Sequence, residues 1–187
     1  MLRIRPYKSC DAKTIVSWCK DEESFRQWTS DRYDHFPLTE NDINDKYFEY
    51  NGDCIEMDNF YPMTAYDDDG IVGHFILRYL NGDNQNLRLG WVIIDDQKRG
   101  MGYGKQMLKL AQKFAFELLG AEKISLGVFD SNMDAYYCYT AAGFKDVEIS
   151  KVECYEFDGQ RWNILELEMT RADYEEEKNR ISRRIKW

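Results

Sequence analysis

The chain lacks any apolar stretch near the roughly 18 residues that a membrane-spanning helix requires. Its N-terminus, "MLRIRPYKSCDAK", has charges where a secretory signal needs an apolar region. The expectation is a soluble, cytoplasmic protein with no membrane partner. Histidine is scarce, with His35 and His74 isolated from one another. The five cysteines (Cys10, Cys19, Cys54, Cys138, Cys154) are odd in number and form no CxxC pair. Neither a zinc site nor a disulfide framework is expected, and no metal. Basic residues are outnumbered, 25 against 34 acidic, for a formal charge of -9. Nucleic acid is thereby disfavoured as a partner, because phosphate binding needs a basic face. The same balance suits a cationic small substrate, or only solubility.

What is present fits a folded domain: 187 residues, 43% hydrophobic and 15% aromatic. "LRIRPY" reads as a short strand, and Asp11 to Trp28 as two short helices. In "PLTENDINDKYFEY", Thr39 is placed to cap a helix carrying Ile43 and Tyr47. "FYPMTAYDDDGIVGHFILRYL" reads as two strands about the turn "DDDG", whose acids lack calcium-loop spacing. "NLRLGWVIIDD" is the next strand, buried on both faces at "WVII". From Gly102 to Leu119 a helical period places Met107, Leu108, Ala111, Phe114, Ala115 and Leu118 on one face. "EKISLGVF" is a strand and "SNMDAYYCYTAAGF" a short helix. "DVEISKVECYEF" and "WNILELEMTR" are two further strands joined by "DGQR". Residues 171–187 form a charged helical tail after a domain spanning 1–170. The order predicts a mixed α/β sheet whose central helix follows a glycine cluster.

That cluster, "RGMGYG", brings Gly100, Gly102 and Gly104 between an apolar strand and the long helix. It fails the dinucleotide pattern GxGxxG, since the third glycine comes one residue early. It also fails the P-loop, with Arg99 where a glycine is needed and Gln106 where Ser or Thr is needed. It satisfies R/Q-x-x-G-x-G/A. A helix beginning near Gly102 offers unpaired N–H groups and partial positive charge to an anion. Lys98, Arg99, Lys105 and Lys109 add a basic island in an acidic chain. A plain glycine turn with solvated lysines is the competing reading of these residues alone.

A second segment, "NMDAYYCYTAAGF", bears on the choice. Ser131 and Asp134 read as a capping box opening a helix at Asn132, with Ala135, Tyr136 and Tyr139 on the same face. Asn132, Ala135, Tyr139, Gly143 and Phe144 fit N-x-x-A-x-x-x-Y-x-x-x-G-F. In this order and context the two motifs resemble those of the GNAT superfamily of acyl-CoA-dependent N-acetyltransferases. Element order resembles the family from Leu2 to about Thr170, and the motif match covers 94–104 and 132–144.

The resemblance implies a GNAT-like fold, a mixed and mostly antiparallel central sheet flanked by helices. It implies acetyl-CoA as co-substrate, with pantetheine along Val92, Ile93 and Ile94. Arg99, Gly100, Met101, Gly102, Tyr103, Gly104 and Lys105 would hold the pyrophosphate, and Asn132 the pantetheine arm. An N–H near Ile94 would face the thioester oxygen. Tyr139 would be the catalytic acid for the departing thiolate. Cys138 beside it has no base paired in sequence. The family's usual glutamate positions fall on Arg88 and Gly127, neither of which can be a base. Asp31, Asp34, Glu168 or an amine arriving neutral remain open for that role. The activity implied is acetyl transfer to a primary amine, on a small molecule or a peptide. An N-terminal acetyltransferase and a non-catalytic acyl-CoA-binding module acting through the tail are the alternatives. The segment "DEESFRQWTSDRYDHF" suits a cationic acceptor, or is a solvated helix with core aromatics. Apolar edge strands and the tail leave a homodimer open.

Overall fold

The structure is a computed structural model that describes residues 1–80, 82–150 and 152–184. The last three residues of the tail and Lys151 of the "DVEISKVECYEF" segment lie outside the described residues. Strands are β1 (Arg3–Pro6), β2 (Phe60–Asp67), β3 (Gly70–Leu80), β4 (Asp83–Ile94), β5 (Lys123–Phe129), β6 (Lys145–Asp146), β7 (Cys154–Phe157) and β8 (Gln160–Thr170). Helices are α1 (Ala12–Val16), α2 (Glu22–Thr29), α3 (Glu40–Phe48), α4 (Tyr103–Lys113), α5 (Met133–Ala141) and α6 (Arg171–Arg184). One sheet runs in the order β1-β2-β3-β4-β5-β8-β6, and β7 pairs with β8. Every pairing is antiparallel except β4 with β5.

Alternation along the strands divides the interior between two layers. Phe75 and Leu77 of β3 join Met107, Leu108 and Ala111 of α4 on one face. Ile76 between them packs with Ile15, Phe25, Ile43 and Tyr47 from the first three helices on the other. Burial of each such side chain contributes about 1.5–3 kcal/mol. Local signals set the helix starts. Thr39 accepts from the Asp42 N–H while the Asp42 carboxylate accepts from the Thr39 N–H, a complete capping box.

Three details differ from the reading of the sequence. Past Lys113 the α4 helix widens into a π-turn over Phe114–Leu118, closed by the Leu119 N–H on the Phe114 carbonyl at 3.0 Å. The extra residue rotates the side chains after it by about 100°. Leu118, expected on the buried stripe, therefore faces solvent and Phe116 takes its place. The segment expected as one strand over 146–157 is instead the two-residue β6 and the separate β7. The cap of α5 is Asn132 itself, whose Oδ1 accepts from the Ala135 N–H at 3.3 Å; Ser131 lies one residue too early.

The tail helix α6 is docked. Tyr174 stacks on Phe116 at 4.9 Å and donates to Glu117, while Lys109 of α4 bonds Glu177.

Candidate active site

The site begins with one extra residue in β4. His74 pairs with Ile93 and Ile76 with Gly90, two steps along β3 against three along β4. The bulge falls at Trp91, whose φ of 47° is left-handed and costly for an aromatic residue. It exchanges the faces of β4. Leu87 and Leu89 point to the α4 layer before it, whereas Trp91 and Ile93 point to the α1–α3 layer after it. The strand also bends away from β5. Their parallel pairing is confined to Asn86–Arg88 against Lys123–Ser125. Beyond Arg88 the two strands splay, and β5 keeps only its β8 ladder.

A cleft of about 840 Å³ fills the splay. Its walls include Val92, Ile93 and Ile94 of β4, Leu126 to Phe129 of β5, and Asn132, Ala135, Cys138 and Tyr139 around α5. Helix α2 closes one side through Ser24, Gln27 and Trp28, and the Gln27 amide reaches Ser131 Oγ at 3.4 Å. Arg99, Gly100, Gly102, Gly104 and Lys105 lie at the other end, where α4 begins.

The three glycines of that turn have two different reasons. Gly100 and Gly102 take φ of 75° and 81°, and Gly102 is the N-cap of α4. Gly104 is helical, but a Cβ there would stand 2.9 Å from Cys138 Sγ, so it lets α4 and α5 meet. The turn thus presents the first N–H groups of α4 to the cleft, with Arg99 and Lys105 beside them. The rest of the expected basic island is committed elsewhere. Lys98 pairs with Asp67 at 3.6 Å, and Lys109 bonds Glu177 and the Ala142 carbonyl. Tyr103 donates to Asp67 at 2.7 Å and Met101 is exposed; neither side chain lines the cleft.

Tyr139 is buried, only 8% exposed, yet it lines the cleft and its hydroxyl has no hydrogen-bond partner among the described residues. Burial, then the neighbouring Cys138, raises its phenol well above the ordinary range and keeps it protonated. Tyr136 turns out of the site and donates to Asp146. Burial also raises the Cys138 thiol, which disfavours the thiolate a nucleophile needs. Asn132 uses its amide oxygen on the cap, leaving the NH2 group as a donor at the cleft.

The acceptor end carries no carboxylate where the sequence placed candidates. Asp31 and Asp34 are exposed, Asp34 beside His35, and Glu168 pairs with Lys123. From the acidic segment after Asp21 the cleft receives Ser24, Gln27, Trp28, Thr29, Ser30 and Arg32, none of them acidic. Sequence reasoning missed Arg78 and Glu166. Arg78 stands directly opposite Arg88 in the β3–β4 ladder, and Arg88 bonds Glu166 of β8. No sequence signal marks either contact, because strand register decides both. Among the described residues no group of three or more His, Cys, Asp or Glu is placed to hold a metal, and no helix is long and apolar enough to cross a membrane.

The chain is similar to known proteins in sequence and in fold. A family model described as an acetyltransferase (GNAT) domain matches residues 1–145. A spermine/spermidine N(1)-acetyltransferase of Bacillus subtilis (strain 168) is 30% identical over 122 residues, 62% of this chain and 76% of that protein. An uncharacterized prophage-derived N-acetyltransferase of the same strain is 24% identical over 143 residues, 75% of this chain and 76% of that protein. In fold, the chain is similar to the spermidine N-acetyltransferase from Vibrio cholerae solved with CoA and spermine. That match has a TM-score of 0.76 at 19% identity and covers 92% of this chain and 97% of that one.

Proposed function

Because the chain belongs to the GNAT acetyltransferase family, we propose that it transfers the acetyl group of acetyl-CoA to a primary amine by direct attack. The observation that carries this reading is the opened β4–β5 pair, with an unpartnered, protonated phenol on its wall. An extended pantetheine arm fits the splay, where β4 backbone groups past Arg88 are free of β5. The α4 N-terminus with Arg99 and Lys105 fits a pyrophosphate. Asn132 offers an amide donor to the arm between them.

Bound there, acetyl-CoA supplies an activated acetyl carbonyl and a thiolate leaving group. Backbone N–H groups of β4 after the Trp91 bulge would stabilise the developing negative charge on the carbonyl oxygen. Tyr139 gives its proton to the leaving sulfur and regains one from solvent. With Asp31, Asp34 and Glu168 outside the cleft lining and Glu166 paired with Arg88, the amine arrives as free base or loses its proton to water. The relatives named for spermine and spermidine support nitrogen as the accepting atom. A hydroxyl without a hydrogen-bond partner among the described residues, on the cleft wall, supports transfer over mere binding of the thioester.

Thiol release from acetyl-CoA, followed over polyamines, aminoglycosides, amino acids and N-terminal peptides, tests the reading. Rates above thioester hydrolysis are expected with at least one amine. Release that no amine accelerates sinks it.

A further inference from the structure

The cleft has a charge distribution opposite to the protein's. Its basic side chains are Arg32, Arg78, Arg88, Arg99 and Lys105, and its single acid is Asp134, in a chain of net charge -9. Arg99 and Lys105 sit at the pyrophosphate end. Arg78 and Arg88 lie far from it. Arg88 precedes Ile94 by six residues on β4, roughly 20 Å at about 3.3 Å per residue, and Arg78 is its register partner. Like charges directly opposite in an antiparallel ladder are destabilising. Glu166 neutralises Arg88, but Arg78 has neither ion pair nor hydrogen bond among the described residues. Burial, then Arg32 and Arg88, lowers the pKa of the Arg78 guanidinium, with Cys54 and Asp53 acting in the opposite direction. Arg32 leans over the Trp91 ring with its guanidinium carbon 5.9 Å from the centroid, at the bulge itself.

A half-buried guanidinium without a direct ion-pair partner on a ligand cleft is a costly arrangement for stability alone. Resting on the transfer reading above, we infer that Arg78, with Arg32, is an anion subsite at the acceptor end, and that the accepting amine carries a carboxylate or phosphate. A guanidinium fork matches either group through paired N–H donors. The same cations disfavour a polycation such as spermidine, whose charges would meet Arg32 and Arg78, while the nearby Glu166 carboxylate is already held by Arg88.

The test uses the full chain, saturating acetyl-CoA and thiol release, with rates referred to the free-base amine. Matched acceptors differ only in the anion: an amino acid against its carboxamide, and an aminoalkyl phosphate against the aminoalkanol. Spermidine is a further arm, as is succinyl-CoA in place of acetyl-CoA. In the wild type the anionic member should be preferred by roughly 10- to 100-fold in kcat/KM, the range for a charge-assisted pair. In Arg78→Gln that ratio should collapse towards one, and Arg78→Lys should restore part of it. The acetyl-CoA-induced rise in Tm, measured on each variant, reports that fold and cofactor site persist. Equal rates for both members of each pair, or a preference for spermidine, overturn the subsite while leaving acetyl transfer standing. A preference for succinyl-CoA that Arg78→Gln abolishes also overturns it, placing the anion on the acyl donor. Absence of transfer to every acceptor overturns the transfer reading and the subsite with it.

Discussion

The guanidinium of Arg88 on β4 crosses over Gly127 of β5 to bond the carboxylate of Glu166 on β8. Gly127 faces Glu166 in the ladder, and a Cβ there would lie 2.6 Å from Arg88 Nη2 and 3.0 Å from Glu166 Oε1. The two positions where the family resemblance leads one to look for glutamates thus hold one half of an ion pair and the gap that admits it. Gly127→Ala should break the pair, and Glu166→Ala should leave a half-buried guanidinium alone. Each is expected to cost about 1–3 kcal/mol. Since both remove one interaction, the double variant should cost clearly less than the sum. Urea unfolding of the four proteins checks this, and strict additivity would dissociate the glycine from the pair.

Acetyl-CoA at 100 times its Kd should stabilise the wild type by about 2.7 kcal/mol. Gly102→Asp should remove that gain by setting a carboxylate against the pyrophosphate. Because Gly102 has φ of 81°, part of any loss is backbone strain. Gly102→Asn carries the strain without the charge and should keep a ligand-induced rise in Tm. A full rise in the Asp variant would locate the cofactor elsewhere.

Tyr139→Phe should lower kcat by roughly 100- to 10,000-fold, the usual range for a positioned acid, with little change in acetyl-CoA affinity. Tyr136→Phe and Tyr137→Phe are the controls. The phenol pKa is raised by burial, so its acid form persists through neutral and mildly alkaline pH. The rate should therefore rise with pH as the acceptor amine deprotonates, with no alkaline loss from Tyr139 below about pH 10. Wild-type single-turnover chemistry in the Phe variant would remove Tyr139 from the mechanism.

His74 is fully buried, its Nε2 2.7 Å from the Tyr47 hydroxyl, and burial pushes its pKa down to about 3. The unfolded chain binds a proton near pH 6.5 and the folded chain resists it, so His74 supports the fold above that pH. The support is lost as pH falls from about 6.5 towards 3, by up to about 1.4 kcal/mol per pH unit. Stability measured between pH 7 and 4 should drop steeply in the wild type. In His74→Phe, destabilised at neutral pH, the same interval should be flatter. Parallel curves would assign the acid sensitivity to other groups.

Features written in short stretches of chain were legible in the sequence. The turn from Arg99 to Gly104, the Asn132-to-Phe144 motif, the Thr39 cap and most of the succession of elements along the chain follow from spacing over a few residues, where backbone geometry and local hydrogen bonds decide. With them came the family and the cofactor expectation. The tertiary structure decided what depends on register and on cumulative rotation. One extra residue at Trp91 turns the last four residues of β4 over where the cleft opens, and one extra residue after Lys113 sends Leu118 to solvent. The acids that suggested a cationic acceptor point outward, while Arg78, Arg88 and Glu166, distant in sequence, converge through strand pairing. A charged residue shows its sign in the sequence, but its surroundings, and hence what it can bind, are set by which strands the fold lays beside it.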